Sequence, residues 1–191
     1  MEQLAPGLSY WVAYHPEWKE DVVSYALESN DGLVLVDPLL PPRELRRPDH
    51  VLLTVYWHGR STGDLRAKRV WAPHRSVRAL ERRGIAVTDP LRPGDAGPGD
   101  SQALASGRAA ELVYWLPVLR ALLAGDVLLG APLRICPDGW VGKGGKAAVR
   151  EALTPALDLS IERVLVSHGG FALAGDRKAL AQALRQAPSA A

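Results

Sequence analysis

The stretch VLLTVYWHGRSTGDL, which runs from Val51 to Leu65, joins an apolar segment to a polar loop and is the most informative part of the sequence. Its first residues form an apolar run of strand length that follows a proline-rich segment, so the pattern predicts a strand over His50–Val55. Its second half is a polar loop that contains His58, Arg60 and glycines. This stretch therefore predicts a strand that runs directly into a polar loop.

Three other segments show the same arrangement. YWLP at 114–117 leads into LLAGD at 122–126, so Asp126 follows an apolar run, and VLVSHG at 164–169 places His168 after another. The segment VLVD at 34–37 follows Asn30-Asp31-Gly32, a turn sequence that supplies the positive φ of a tight hairpin. Polar residues thus stand directly after several predicted strands.

The remaining elements follow from hydrophobic periodicity. Antiparallel strands come first, then mixed strand and helix units, then a second hairpin and a closing strand and helix, which predicts two face-to-face sheets with helices outside. We interpret Pro90–Ser101 as a long surface loop. The predicted strands are Leu8–His15, Asp21–Glu28, Leu33–Asp37, His50–Val55, Arg69–Ala72, Glu111–Leu116, Leu119–Ala124 and Arg163–Val166. The predicted helices are Ser61–Lys68, Ser76–Arg83, Lys146–Leu157 and Asp176–Gln186.

In order and spacing these segments resemble the metallo-β-lactamase fold superfamily, over nearly the whole chain. The resemblance implies an α/β (α+β) protein with a four-layer αββα sandwich, built as one domain over residues 1–191 with a frayed tail at 187–191. The family places a His-x-His-x-Asp-His loop after a strand, and a further His, an Asp and a final His later in the chain. Together they hold one or two metal ions, usually zinc, and a metal-bound water is the nucleophile of the family's hydrolases.

The chain keeps only three of these ligand positions, His58, Asp126 and His168. The preferred alignment gives His58 the loop's second histidine position, because Gly63 and Leu65 then match the residues that usually follow. The remaining loop positions and the next histidine position are then occupied by other residue types, at Tyr56, Arg60, Ser61 and Gly107.

A second alignment, shifted by one residue, stays open. It would put Trp57 and Arg60 at histidine positions and leave His58 between ligands. The resemblance also implies that the three retained ligands are spread over two adjacent metal sites. Arg60 would repel a divalent ion about 5 Å away by about 6 kcal/mol at an effective dielectric constant of about 20, so the sequence argues against tight metal binding.

The presence of Arg60 is explained if its guanidinium takes the place of the metal ion beside Asp126. Asp126, buried without a cation, would be an unpaired charge that costs several kcal/mol. Arginine is always charged and forms bidentate bonds with carboxylates. We therefore predict an Arg60–Asp126 ion pair, supported by His58 and His168.

Three functions follow as hypotheses. The first is a family relative with a degenerate metal site and no cofactor, a pseudoenzyme without metal-dependent hydrolase activity, which binds a small molecule in the former active-site cleft. The second is a hydrolase with one zinc or iron ion on His58, Asp126 and His168. The third is an assembly role, in which an exposed aromatic patch meets a partner. The cleft residues predicted for the first are Tyr56, Trp57, His58, Arg60, Ser61, Asp126 and His168.

Composition excludes several other classes. The formal net charge is only +2 over 191 residues, which predicts no nucleic-acid partner. The single cysteine, Cys136, excludes an intrachain disulfide and a multi-cysteine metal site. No apolar run is long enough to span a membrane, and no secretory signal is visible. We therefore expect a cytoplasmic protein whose candidate partners are a small molecule and, as a homodimer, a second copy of itself.

Several further residues have plainer interpretations. The stretch Gly142–Lys146 fails the spacing of a phosphate-binding P-loop and is interpreted as a flexible loop that binds an anion only weakly. Cys136 is expected to be an inert thiol. The histidines outside the matched segments, at 15, 50 and 74, are expected to be ordinary surface or capping residues. Tryptophans that could rim the cleft are Trp11, Trp18, Trp57 and Trp140.

Overall fold

A seven-stranded sheet forms the first half of the protein. The structure, a computed structural model, describes residues 1–130, 132–169 and 173–185. The strands lie in chain order, antiparallel from β1 to β4 and parallel from β4 to β7. They are β1 (Glu2–Ala5), β2 (Leu8–His15), β3 (Glu20–Ser29), β4 (Gly32–Val36), β5 (His50–Leu52), β6 (Arg69–Pro73) and β7 (Asp89–Leu91).

A five-stranded sheet packs against the first. Its order is β14-β13-β10-β9-β8, in which only β10 and β13 pair in parallel. A small hairpin, β11 with β12, forms a third sheet. These strands are β8 (Gln102–Ala105), β9 (Leu112–Leu116), β10 (Ala121–Ala124), β11 (Leu128–Leu129), β12 (Arg134–Ile135), β13 (Arg163–Val166) and β14 (Leu173–Gly175).

The helices cover the outer faces of the two large sheets. Leu80 of one helix packs on the first sheet with Val51 and Leu53, and Val149 and Leu180 of two others pack on the second sheet. In the described ranges, no helix has the length and apolar character needed to cross a membrane. The α-helices are α1 (Val77–Glu81), α2 (Asp138–Val141), α3 (Gly145–Leu153) and α4 (Arg177–Arg185), and the 3₁₀ turns are Tyr56–Gly59, Thr62–Asp64, His74–Ser76 and Thr154–Asp158.

The central core lies between the two sheets, and this arrangement confirms the predicted sandwich. Tyr25 and Val34 of the first sheet belong to the same buried cluster as Tyr114 and Leu123 of the second. Burial of apolar area at about 25 cal/mol per Å² makes this interface the main source of stability. Cys136 is also buried, and burial raises the pKa of its thiol to about 12, in agreement with an inert thiol.

Three predicted elements differ from the structure. Within the predicted helix at 61–68, only Thr62–Asp64 form a 3₁₀ turn, because Arg60 and Arg66 on either side adopt positive φ and interrupt helical geometry. The α3 helix ends at Leu153 and gives way to a 3₁₀ turn, because Pro155 has no N–H to continue the helical hydrogen bonds. Strand β7 takes up the beginning of the predicted loop at 90–101.

Among the hydrogen bonds that link the two sheets, one provides a test of the sandwich. The Tyr114 hydroxyl in β9 donates to the Leu53 carbonyl oxygen after β5, at 2.9 Å, and both residues are fully buried. Removal of a buried donor costs about 1–3 kcal/mol. Tyr114→Phe should therefore lower the free energy of unfolding by that amount in urea denaturation. Tyr14→Phe, at a half-exposed position, should leave it unchanged, and equal effects of the two variants would contradict the inter-sheet role.

Candidate functional site

Strand register brings Asp126 and His168 together. Strands β10 and β13 pair in parallel with Ala124 opposite Val166, and each polar residue stands two positions beyond its strand end. The two side chains therefore emerge at the same edge of the second sheet. His58 arrives at this edge from the first sheet, in the 3₁₀ turn after β5. The fold thus unites the three residues that the sequence retained as ligands.

The three side chains converge on one point. Asp126 Oδ1 lies 3.0 Å from His58 Nε2 and 3.1 Å from His168 Nε2. One ligand atom from each residue lies within 4.8 Å of the others, close enough for a single ion. Yet His58 Nε2 and Asp126 Oδ1, both buried, have no hydrogen-bond partner in the described part of the chain. The distance between these two atoms is that of a hydrogen bond, but their relative orientation does not allow one. Ligand atoms that point at a shared ion have this arrangement.

Asp37 fixes the ring of His58 from the other side. His58 Nδ1 lies 2.8 Å from Asp37 Oδ2, and the Thr54 hydroxyl and backbone N–H donate to the same carboxylate at 2.6 and 2.9 Å. Burial opposes ionisation of Asp37, but His58, Arg60 and Thr54 outweigh it and lower the pKa of this carboxyl. A carboxylate on Nδ1 fixes the orientation of the ring and leaves Nε2 free on the Asp126 side, as is usual for metal-bound histidines.

His58 therefore stands between two buried carboxylates. Burial and the Arg60 charge oppose protonation of the ring, but Asp126 and Asp37 outweigh them and raise the pKa of His58 to about 9. The electrostatic field between these carboxylates thus favours a positive charge at this place.

The second oxygen of Asp126 is already used. The Trp57 indole N–H donates to Asp126 Oδ2 at 2.6 Å. Glu111 Oε1 accepts the backbone N–H groups of Asp126 and Val127 at 2.7 and 3.0 Å, and Arg108 lies 2.7 Å from Glu111 Oε2. Burial opposes the ionisation of Asp126, but His58 and His168 lower its pKa well below the usual value. Asp126 is therefore a rigidly held carboxylate with only Oδ1 left for another partner.

The predicted Arg60–Asp126 ion pair is wrong. Arg60 Nη1 donates to the backbone carbonyl of Asp37 at 2.8 Å, and within the described ranges Arg60 forms no ion pair with Asp126. The guanidinium carbon instead lies 5.3 Å from the centre of the Trp18 ring. Asp126 Oδ2 instead accepts a hydrogen bond from the Trp57 indole N–H.

The site opens into a pocket walled by tryptophans. The Trp18 ring lies 5.9 Å from the His58 ring and 5.5 Å from the His168 ring, and Glu20 Oε1 is 3.1 Å from His168 Nδ1. The cavity measures about 490 Å³, a size typical of small-molecule pockets. It is lined by Trp18, Glu20, Trp57, Arg108, Asp126, Gly139, Trp140 and His168.

Three predicted cleft residues, Tyr56, Arg60 and Ser61, do not line the tryptophan pocket. The Tyr56 ring packs edge-on against Trp57 and borders the α1 side of the first sheet. Ser61 lines a neighbouring cavity of about 520 Å³ with Arg60, and its hydroxyl oxygen accepts the Leu40 N–H at 2.9 Å. The position of His58 beside Asp126 favours the first alignment of the loop over the shifted one.

Three interpretations of other residues change. His50 is buried in β5 rather than an ordinary surface residue. Trp11 lies away from the site, since its indole donates to the Leu39 carbonyl oxygen. His15 is not an ordinary surface residue, because its ring stacks on Trp18 with 3.9 Å between ring centres. Residues from the predicted loop at 90–101 do not line the tryptophan pocket.

The sequence did not identify the residues that orient the three candidate ligands through hydrogen bonds and ion pairs. The sequence identifies Asp37 only as the end of a strand, although its carboxylate orients His58. Glu111, Arg108 and Glu20 have no predicted role. The spacing of Arg108 and Glu111, three residues apart, is compatible with an ion pair, but nothing in the sequence shows that Glu111 would be buried under Asp126.

The donor set fits one divalent transition-metal ion. Two imidazole nitrogens and one carboxylate oxygen are ligands typical of zinc and of non-haem iron. Bonds of 2.0–2.2 Å in tetrahedral geometry require ligand atoms about 3.3 Å apart. The separations of Asp126 Oδ1 from the two histidine Nε2 atoms, 3.0 and 3.1 Å, need only a small expansion, and the two histidine ligand atoms lie within 4.8 Å of each other. Among the described residues, this is the one group of three or more histidine, cysteine or carboxylate residues that is close enough to hold an ion.

Comparison with known proteins gives the fold a name. Neither a family model nor a curated protein matches the sequence. A metallo-β-lactamase family protein from Thermus thermophilus superposes with a TM-score of 0.69 and 19% identity, over 95% of this chain and 78% of that one. The protein TTHA1623 in a di-iron-bound form gives 0.60 and 21%, over 91% and 98%.

The metallo-β-lactamase FIM-1 from Pseudomonas aeruginosa, in its mono-zinc form, gives a TM-score of 0.65 and 13% identity, over 96% of this chain and 92% of that one. This chain therefore has the metallo-β-lactamase fold. At these identities the likeness extends to the fold alone.

Proposed function

We propose that the chain holds one divalent metal ion between His58, Asp126 and His168, and that it is a hydrolase for a small molecule bound in the tryptophan-walled pocket. The observation that carries the proposal is the pair of buried, unpartnered atoms, His58 Nε2 and Asp126 Oδ1, which face each other at 3.0 Å without a hydrogen bond. A buried polar atom without a partner costs about 1–3 kcal/mol, and an ion removes that cost.

Each residue has a defined part. His58 and His168 offer Nε2, and Asp126 offers Oδ1 alone because Trp57 holds Oδ2. Asp37 keeps the other nitrogen of His58 occupied. When bound, the ion would supply Lewis acidity and a water of lowered pKa. The pocket borders Asp126 and His168 directly, so a ligand between the indoles would meet this edge of the site.

The geometry supports one ion rather than two. In the loop that follows β5, the positions of the aspartate and the last histidine hold Arg60 and Ser61, which are not metal ligands of this kind. Burial lowers the pKa of Arg60, since its guanidinium has no carboxylate in ion-pair contact in the described part of the chain. Its charge beside His58 disfavours a second ion.

A second candidate function is a metal-free binding protein. Two observations favour it: Asp126 Oδ1 lies at ion-pair distance from both histidines, and the Trp18 ring lies 5.9 and 5.5 Å from their rings. In this case His58 itself neutralises Asp126, and the pocket binds a ligand without chemical conversion.

Elemental analysis of protein purified without chelators distinguishes the one-ion hydrolase from the metal-free binding protein. We expect about one equivalent of zinc or iron per chain, lost in His168→Gln and kept in His74→Gln, since His74 is exposed and remote from the three ligand atoms. Less than about 0.1 equivalent after incubation with zinc would establish the metal-free candidate. Two equivalents would contradict the one-ion site.

A further inference from the structure

A large cavity on the protein is lined by positive charge. It measures about 650 Å³ and lies beside the ends of β6 and β7. Four of its lining residues are cations, Arg75, Arg92, Arg108 and Lys143, and Glu111 is the one carboxylate among the residues that line it. A concave cavity of this size suits a small molecule.

Most of this charge has no internal partner. Arg108 neutralises Glu111 through a contact of 2.7 Å, so these two charges cancel. The other three cations, Arg75, Arg92 and Lys143, are exposed, and none forms an ion pair in the described ranges. The cavity thus carries a charge of about +3 in a chain whose formal net charge is +2. Cavities lined by one sign of charge concentrate the field and attract ions of the opposite sign.

The cavity adjoins the tryptophan pocket through a third cavity that lies between them. This third cavity, of about 380 Å³, is lined by Trp57, Trp140, Arg108 and Lys143, and so shares residues with both. The Arg108 guanidinium lies 4.8 Å from the centre of the Trp57 ring and forms the wall between them. Three adjoining cavities therefore lie between Asp126, the two indoles and the cluster of cations, and they are together called the groove below.

We propose that this groove binds the phosphate-bearing end of the molecule whose other end reaches Asp126 and His168. Arginine forks match phosphate oxygens, and a di- or triphosphate carries enough charge to meet three free cations. The position of the other end rests on the proposed function, whereas the phosphate site depends only on the groove. Lys143 belongs to the glycine-rich loop at 142–146, which fails the P-loop spacing but places its ammonium group on this wall.

Calorimetric titration of inorganic pyrophosphate into metal-free protein tests the site without the metal. We expect saturable 1:1 binding that weakens about tenfold or more in the double variant Arg75→Gln, Arg92→Gln and in Lys143→Gln. Arg43→Gln removes an exposed arginine outside the groove and should bind like the wild type. Succinate should bind at least about tenfold more weakly than pyrophosphate.

The titration distinguishes failure of the phosphate site from failure of the proposed one-ion hydrolase. Absent or unsaturable binding, equal binding by all variants, or equal affinity for succinate and pyrophosphate would overturn the phosphate site. Metal content measured on the same variants should stay at the wild-type value. Loss of pyrophosphate binding with normal metal content therefore supports the groove, and normal pyrophosphate binding by a chain that takes up no metal would refute only the one-ion hydrolase.

Discussion

Asp126→Asn is expected to weaken zinc binding at least about 100-fold, because the amide cannot supply the anionic oxygen that faces both histidines. Asp126 is the only residue of the three whose atom contacts the other two, at 3.0 and 3.1 Å. The amide can still accept the Trp57 N–H through its oxygen, so the surrounding fold should persist. Competition with a chromophoric zinc chelator gives the affinity.

Asp158→Asn is the matched control for this variant. Asp158 is exposed at the end of the 3₁₀ turn that follows α3, far in the fold from the three ligands, and its replacement should leave zinc affinity unchanged. Unaltered zinc affinity in Asp126→Asn would show that any bound ion lies elsewhere. Circular dichroism of the variant excludes unfolding as the cause of a loss.

Asp37→Asn is expected to have the largest effect on stability. Asp37 is 1% exposed, and its carboxylate accepts hydrogen bonds from Thr54 and lies 2.8 Å from His58. Removing one partner of a buried charged pair costs about 3–5 kcal/mol. The free energy of unfolding in urea should fall by that amount. Zinc affinity should fall about 10- to 100-fold, as for other residues that orient a metal-bound histidine.

Asp21→Asn provides the comparison for Asp37. Asp21 is exposed in β3 and should change the free energy of unfolding by no more than about 0.5 kcal/mol. A loss of less than about 1 kcal/mol in Asp37→Asn would contradict the role of Asp37 as the anchor of His58.

The sandwich was predictable because local signals agree with the global fold. The turn at Asn30-Asp31-Gly32 joins β3 to β4, and the apolar runs at 112–116, 121–124 and 163–166 form the central strands of the second sheet. The polar residues that follow β10 and β13 then meet because parallel pairing aligns the strand ends. The resemblance to the metallo-β-lactamase fold superfamily indicated Asp126 and His168, and the aligned strand ends explain why the two residues meet.

The wrong and the missed predictions concern side-chain contacts that no local sequence pattern indicates. The Arg60–Asp126 pair was predicted from charge alone, but a neutral donor, the Trp57 indole N–H, takes the carboxylate oxygen instead. The positive φ of Arg60 is a conformation that is uncommon for residues other than glycine, so nothing in the sequence indicates the direction of its side chain. The Asp37–His58 contact joins residues 21 positions apart across the first sheet and needed the folded chain to become visible.

Anomalous diffraction at the zinc edge, on crystals grown with zinc, tests the one-ion site most directly. We predict one peak, about 2.0–2.2 Å from His58 Nε2, Asp126 Oδ1 and His168 Nε2, with Arg60 still bonded to the Asp37 carbonyl. The absence of a peak at that point, or an Arg60 guanidinium turned onto Asp126 in its place, would contradict the site.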